Sequence, residues 1–194
     1  MTAIISPCGA YRYWLERGLP NQPYVAWVLA NPSTADAEID DPTVRKGRGF
    51  TSRWGYDRFV FVNLFGGRST DPKGLLKMSD PVGAENEKYM TKAVDGADLV
   101  VLAWGNAVVK QLRRHTHFAV EFIRCRVPDE KIKCLGRTGD GQPRHPLMLA
   151  YSTPLEPYTQ AGHSAAQPTP SSPQAHKEMT PTLRESLAAL ENTP

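Results

Sequence analysis

The chain has 194 residues and a formal net charge of +3. This length predicts one domain with at most a short appendage, and the small charge permits an anionic partner without requiring one. No stretch reaches the roughly 18 apolar residues of a membrane helix. The first residues, MTAIISPCGAYRYW, lack the basic start and apolar run of a secretory signal. We therefore expect a cytoplasmic protein without a membrane partner.

The cysteine pattern argues against a disulfide framework and against a metal site. The cysteines are scattered singly, with no CxxC pair and no metal-ligand spacing, at Cys8, Cys125 and Cys134. This usage predicts reduced thiols. We expect no metal and no cofactor.

Four apolar runs predict β-strands. They are Tyr24–Ala30, Arg58–Leu64, Leu99–Trp104 and Lys131–Leu135. Three of them are continuous rather than alternating, which is typical of strands covered on both faces. Because helical patterns lie between the strands, we expect a three-layer α/β sandwich with a mostly parallel four-stranded sheet over residues 1–158.

Helix signals separate these runs. Residues 43–54 place apolar side chains along one side of a helix. Asp71-Pro72 and Asp80-Pro81 each resemble an N-cap followed by proline, and the second predicts a helix through Val94. A further helix is predicted from Gly105 onward.

Composition changes after Pro157. Residues 159–180 are rich in Pro, Ser, Gln and Ala with almost no large apolar side chains, which predicts a disordered linker. In residues 181–194, three leucines share one helical face, which favours a short C-terminal helix or a fraying tail.

Polar side chains follow the predicted strands. Asn31-Pro32 ends the first, Asn63 the second and Trp104-Gly105 the third, while the loop after the fourth ends in Arg144-His145. In open parallel sheets the ligand crevice lies beyond the carboxyl ends of the strands. These residues are therefore expected to converge on one shared site.

Each of these residues also has an ordinary structural interpretation. Asn-Pro is a common turn dipeptide, Asn63 could satisfy backbone groups, and tryptophan is more often core than ligand platform. Two basic groups, at positions 45–58 and 110–133, could meet phosphates. Their counts alone are more typical of solvated helix faces.

Several motifs resemble a known family. The segments ANPSTAD, DDPTVRKG, WGYDRFVFVNLFGGRSTDP, LAWG and CLGRTGDGQPRHPL resemble the bacterial and phage family DUF1643, a domain of unknown function. The resemblance covers about residues 10–150. It implies no activity.

A more distant resemblance is to the uracil-DNA glycosylase superfamily. Asn31-Pro32, Val62-Asn63-Leu64, Leu102-Ala103-Trp104-Gly105 and His145-Pro146 are similar to that superfamily's strand-end motifs, in the same order. The resemblance implies a uracil-DNA-glycosylase-like fold and hydrolysis of an N-glycosidic bond. The partner would be a nucleic acid or a nucleotide.

The resemblance also implies roles for single residues. Asn31 would position a water and His145 would donate a hydrogen bond to the departing base. Bases would be bound by Asn63, Phe50, Phe65 and Trp104. Phosphates would be bound by Arg45, Arg68 and Arg144.

The chain departs from that pattern at two positions. Ser33 stands where a glycine is usual, and Leu147 where a serine is usual. The acids Asp36, Asp40 and Asp41 have no counterpart there. Three hypotheses remain: a glycosylase-like enzyme acting on a damaged or modified base, a non-catalytic nucleotide or nucleic-acid binding module, and a nucleotide-processing enzyme that uses Asp36, Asp41 and a metal.

Overall fold

The computed structural model describes residues 2–33, 35–108 and 110–159. They form an α/β domain around one seven-stranded mixed sheet, in the order β1-β2-β4-β3-β5-β6-β7. The strands are β1 Thr2–Ile5, β2 Arg12–Arg17, β3 Tyr24–Leu29, β4 Arg58–Asn63, β5 Leu99–Leu102, β6 Ile132–Cys134 and β7 Glu156–Pro157. The predicted C-terminal helix, and all of the predicted linker beyond position 159, lie outside the described residues.

All four predicted strands are present as β3, β4, β5 and β6, and they run parallel to one another. The expected number of four strands is nevertheless wrong, because three further strands extend the sheet through antiparallel pairing. Strand β2 was not predicted from the sequence, because charged side chains interrupt its apolar residues. Strand β7 has two residues and leaves no periodic signal.

Three α-helices cover the sheet: α1 Pro42–Arg53, α2 Asn86–Asp95 and α3 Arg113–Arg124. Short 3₁₀ turns lie at Pro72–Lys77, Gly105–Ala107, Lys110–Leu112, Asp129–Lys131 and Pro146–Met148. The helix predicted at 43–54 is therefore confirmed as α1.

Two predicted helices begin later than expected. The Asp80 carboxylate accepts from the backbone N–H groups of Val82 and Gly83, which forms a turn instead of a cap, and α2 starts at Asn86. The segment from Gly105 makes 3₁₀ turns, and α3 starts only at Arg113.

Alternating side chains of the central strands form a core on each face of the sheet. Ala26, Val28 and Val60 face the layer of α2 and α3, whereas Trp27 and Phe61 face α1. On that second face, a Cβ added to Gly47 of α1 would lie only 2.4 Å from the Phe61 ring. The helix can approach the sheet this closely because Gly47 has no side chain.

Across the described ranges, no helix has the length and apolar character needed to cross a membrane.

His115 is a histidine buried in the core at the start of α3. It is 1 % exposed, and its ring stacks on Phe65 with 4.8 Å between the centroids. Burial lowers the pKa of His115 to about 4, and the backbone of Leu64 opposes this only in part. Neither ring nitrogen makes a hydrogen bond of ordinary geometry to another described residue. The side chain is therefore neutral at physiological pH.

We expect acid to destabilise the fold through His115. Between pH 6.5 and about 4 the unfolded chain binds a proton at this position that the folded chain does not, so the free energy of unfolding falls as the pH falls. The slope is about 1.4 kcal/mol per pH unit, or roughly 2 kcal/mol between pH 7 and 5.

Denaturant unfolding of the wild type and of His115→Phe at both pH values measures this effect. The variant should lose roughly 2 kcal/mol less than the wild type over that range. His117→Gln, at an exposed position of the same helix, should follow the wild type. Equal losses in the wild type and His115→Phe would contradict the prediction.

Candidate functional site

A small cavity lies at the carboxyl ends of β3 and β4, beside the start of α1. Its volume is about 80 Å³, well below the roughly 300–1,000 Å³ of pockets that enclose drug-sized ligands. It is therefore large enough for only a small part of a ligand. The lining residues are Arg12, Leu29, Ala30, Asn31, Ser33, Asp41, Thr43, Phe61 and His145.

Asn31 lies in the cavity wall with its amide fixed in orientation. Its Nδ2 donates to the carbonyl oxygens of Ser69, at 2.7 Å, and Pro32, at 3.2 Å. The backbone N–H of Ser69 in turn donates to Pro32 O. Both amide hydrogens are thus committed to the backbone, while Oδ1 has no partner among the described residues. The side chain can offer a hydrogen-bond acceptor to the cavity.

His145 contributes a second wall of the cavity and offers a donor. Burial lowers its pKa, and the nearby Asp41 charge offsets this only in part, so the ring is neutral near pH 7. The backbone N–H of Leu147 donates to Nδ1 at 3.3 Å. Since Nδ1 is the acceptor of the neutral ring, the remaining proton is assigned to Nε2.

Gly105 fixes the position of His145. Its φ is +62°, and a Cβ at this position would lie 2.9 Å from His145 Cβ. Any other residue would be strained in this backbone conformation and would also push the histidine away. The Trp104-Gly105 end of β5 therefore takes part in the site through its backbone.

Asn63 is the third sequence-predicted polar residue at this end of the sheet. It is fully buried, and neither Nδ2 nor Oδ1 has a hydrogen-bond partner among the described residues. Its register partner Leu29 and the residue two positions earlier, Phe61, both line the cavity. Because side chains at these positions share one face of the sheet, the Asn63 side chain is on the same face as the cavity, although it is not one of the lining residues.

The three acids that the sequence left without a role have structural partners. Asp36 Oδ1 accepts from the backbone N–H groups of Glu38 and Ile39. Burial would raise the pKa of Asp40, but the hydrogen bonds and charges of Arg48 and Arg17 hold it below its usual value.

Asp41 belongs to both the fold and the cavity. Its Oδ1 accepts from Val44 N at 2.9 Å and caps α1, and the side chain also lines the cavity. In the part of the chain that the structure describes, no three His, Cys, Asp or Glu side chains cluster closely enough to hold a metal ion.

Sequence reasoning missed two buried arginines of β2. Arg17 is fully buried, and each of its guanidinium nitrogens has a partner: Nε pairs with Asp40 Oδ1 at 2.7 Å, and the other two donate to the carbonyl oxygens of Glu16 and Asp36. Arg12 is 2 % exposed and lines the cavity. The available signal was weak: in the stretch RYWLER the two arginines flank apolar residues 13–15, and Glu16 adds a further charge.

Arg12 is much less completely paired than Arg17. Its Nη1 donates to Ala35 O at 2.7 Å, but Nε is buried without a partner, and Nη2 also lacks one within the described ranges. Burial lowers the pKa of Arg12 to about 10, with the Asp41 charge opposing this, so the side chain stays cationic at neutral pH. Although Arg12 and Asp41 share the cavity, they form no ion pair within 4.0 Å.

The structure places the three predicted aromatic residues in the core, away from the cavity. Phe50 is fully buried and contacts Trp27 and Tyr151. Phe65 stacks on His115. Trp104 donates from Nε1 to Gln142 Oε1 at 2.8 Å and is 1 % exposed.

The predicted phosphate-binding arginines lie at the same end of the domain as the cavity. Arg45 is exposed on the first turn of α1, two residues after Thr43, and Arg144 is exposed next to His145. Arg68 is half-buried in the loop after β4, and its charge acts on Arg12. Arg45 donates to Asp40 O and Arg68 to Gly9 O, and none of the three lines the cavity.

A larger cavity of about 840 Å³ lies beside the start of β6. Its lining mixes acidic and basic side chains, among them Glu121, Arg124 and Asp129, and it borders Thr159, where the described chain ends. None of the site residues predicted from the sequence lines it.

The molecule is thus an α/β protein with a polar cavity at the carboxyl ends of its parallel strands. The chain belongs to the family described as protein of unknown function DUF1643, whose model matches residues 12–147. The match extends from Arg12 past His145, so all of the cavity residues fall within it. No curated protein and no solved structure matches the chain.

The two arginines of β2 should differ in their contribution to stability. Arg17→Met breaks a buried ion pair and leaves two carbonyls without a donor, so we expect a loss of about 3 kcal/mol in the free energy of unfolding. Arg12→Met removes one hydrogen bond to Ala35 O but also a buried charge that is only partly paired, so it should cost roughly 1 kcal/mol. Denaturant unfolding of the two variants gives the comparison, and a larger loss for Arg12→Met would contradict this assignment.

Proposed function

We propose that this protein recognises a nucleobase at the cavity and hydrolyses the N-glycosidic bond of a damaged or modified base. The observation that carries the proposal is the pairing of Asn31 and His145 on one cavity. The first offers an oriented amide oxygen, and the second offers a neutral Nε2–H group. The bond requires both functions, because a water must reach the sugar while negative charge leaves with the base.

The amide of Asn31 would act by orientation. Its Oδ1 accepts a hydrogen bond from the attacking water and holds it against the sugar carbon. An amide cannot take the proton of that water, so the proton passes to the solvent. Correct placement of reactants alone can supply a large rate enhancement.

His145 would act on the base. As the C1′–N bond breaks, its electrons move into the base and onto a conjugated oxygen. A neutral Nε2–H group donates to that oxygen most strongly when the charge has developed, which favours the transition state over the ground state.

Asn63 would read the base. A buried amide without partners costs about 1–3 kcal/mol for each unsatisfied group, and Asn63 carries both a donor and an acceptor in this condition. A base that presents the complementary pair would satisfy both atoms at once. This residue therefore offers recognition that a plain apolar pocket would not.

The resemblance to the uracil-DNA glycosylase superfamily supports the same assignment. Asn31-Pro32, Asn63, Trp104-Gly105 and His145-Pro146 stand at or near the carboxyl ends of parallel strands or in the loop that follows. Arg45, Arg68 and Arg144 would hold phosphates around the cavity if the substrate is DNA.

A second candidate is a non-catalytic nucleotide or nucleic-acid binding module. Two observations favour it: the cavity is small, and the Ser33 side chain occupies the wall where the resemblance expects a glycine. The metal-dependent alternative has less support, because Asp36 and Asp41 each use a carboxylate oxygen to accept backbone hydrogen bonds.

Base release is the decisive measurement. The purified protein is incubated with single- and double-stranded oligonucleotides that carry uracil, hydroxymethyluracil, hypoxanthine or another modified base, with and without EDTA, and free base is measured by mass spectrometry. We expect release that EDTA does not inhibit. Asn31→Ala should lower the rate about 100-fold or more, because the water loses its orienting group.

Asn106→Ala is the matched control, since this asparagine also follows a strand end but is exposed and does not line the cavity. It should release base at the wild-type rate. Oligonucleotide binding that survives Asn31→Ala, with no release by any form of the protein, would favour the binding module. The absence of both binding and release would contradict both functions.

A further inference from the structure

Arg12 has features of a ligand-binding group in addition to its structural hydrogen bond to Ala35 O. It lies next to Gly66 in the loop after β4, where its backbone N–H donates to the glycine carbonyl, and its side chain lines the cavity. Only Nη1 makes a side-chain hydrogen bond, to Ala35 O. Burying a cation with uncommitted donors is costly, so these donors are expected to gain a partner when the cavity is occupied.

Arg17 provides an internal comparison. It lies on the same strand and is buried to a similar extent, yet all three of its guanidinium nitrogens donate to a carboxylate or a carbonyl oxygen. The fold therefore does supply partners for a buried guanidinium on this strand. Among the described residues, Arg12 Nε and Nη2 have no such partner. Arg12, the arginine that lines the cavity, therefore differs from Arg17 in its pairing.

The charges around Arg12 set what can bind there. Arg68 and Arg17 add positive charge, whereas Asp41 and Asp36 add negative charge. Asp41 is the acid that shares the cavity, and it lies beyond ion-pair distance of Arg12. A ligand that offers an oxygen acceptor to Arg12 and turns no second acceptor toward Asp41 suits this arrangement. The carbonyl of a nucleobase does so, whereas a free phosphate presents acceptors in every direction.

We propose that Arg12 binds a carbonyl oxygen of the nucleobase and stabilises the negative charge that the base carries when it leaves. This inference rests on the proposed function for the catalytic step. Cleavage of the C1′–N bond sends its electron pair to the base, where conjugation places charge on the oxygen held by Arg12. The water oxygen bonds to C1′ and releases its proton to the solvent, and the free base is protonated afterwards.

Arg12 and His145 would then have different tasks at the same base. The histidine donates one neutral hydrogen bond, while the arginine provides a full positive charge in a site that excludes most of the water. A charge in such surroundings interacts more strongly than it would in water. Substrates whose bases leave as weakly stabilised anions should depend most on Arg12.

Binding of free bases tests the assignment without requiring turnover. Uracil, 5-fluorouracil and 5-nitrouracil form a series in which the ring N–H becomes more acidic, so the last is mostly anionic at pH 8. Affinities are measured by calorimetry for the wild type, Arg12→Gln and Arg12→Lys, with thermal melts to confirm folding. Inorganic phosphate serves as a competitor.

We expect the wild type to bind the anionic base at least 10-fold more tightly than uracil. Arg12→Gln should reduce this preference to less than 3-fold, and Arg12→Lys should retain part of it, since lysine keeps the charge but not the fork of donors. Arg48→Gln, which removes an exposed arginine from the middle of α1, should keep the preference of the wild type.

Three outcomes would overturn the proposal: an equal preference in the wild type and Arg12→Gln, no binding of any base, or displacement of bases by millimolar phosphate in the wild type alone. The last result would assign Arg12 to a phosphate. If base release occurs, Arg12→Gln should lower kcat more than it raises KM, and most for the least acidic base. An Arg12-dependent preference without base release would retain the anion site and reject the hydrolase.

Discussion

Two buried arginines hold the loop between β3 and α1 in place. Arg12 donates to Ala35 O, and Arg17 bonds to Asp36 O and to the Asp40 carboxylate. This loop carries both the amide and the carboxylate of the cavity, and it has little regular structure of its own. The geometry of the site therefore depends on hydrogen bonds that come from β2, a strand outside the parallel set.

The parallel part of the sheet could be predicted from the sequence because its strands are buried on both faces. Such strands are apolar throughout, and their carboxyl ends must meet at one edge. Strand β2 follows another rule. It places Arg12 and Arg17 in the interior, and these charges are tolerated only because partners far away in sequence reach them. A single sequence does not show such partners.

The same distinction separates the residues of the site. Asn31 and His145 were predicted as site residues because the carboxyl ends of parallel strands, and the loops that follow them, meet at one edge of the sheet, and both residues do line one cavity. Phe50, Phe65 and Trp104 were predicted on the basis of their rings, and a ring suits a core as well as a ligand. Only packing decides between the two, and here it places all three in the interior.

Two histidines of this protein are kept neutral by burial, but in different settings. His115 lies inside the core with its nitrogens unused among the described residues, so its neutrality concerns stability. His145 lies at a cavity and has one nitrogen fixed by a backbone donor, so its neutrality defines which atom carries the proton. A lowered histidine pKa therefore does not identify a functional site without the geometry around the ring.

The contact between Gly105 and His145 has a consequence for how variation at this site should be interpreted. Gly105 has no side chain, yet the backbone conformation and the 2.9 Å approach both exclude a substituent. In a library of random variants, position 105 would therefore score as intolerant although it offers no chemical group to a ligand. Among distant homologues, a change at 105 would be tolerated only together with a rearrangement of the loop that carries the histidine, so the two positions should vary jointly.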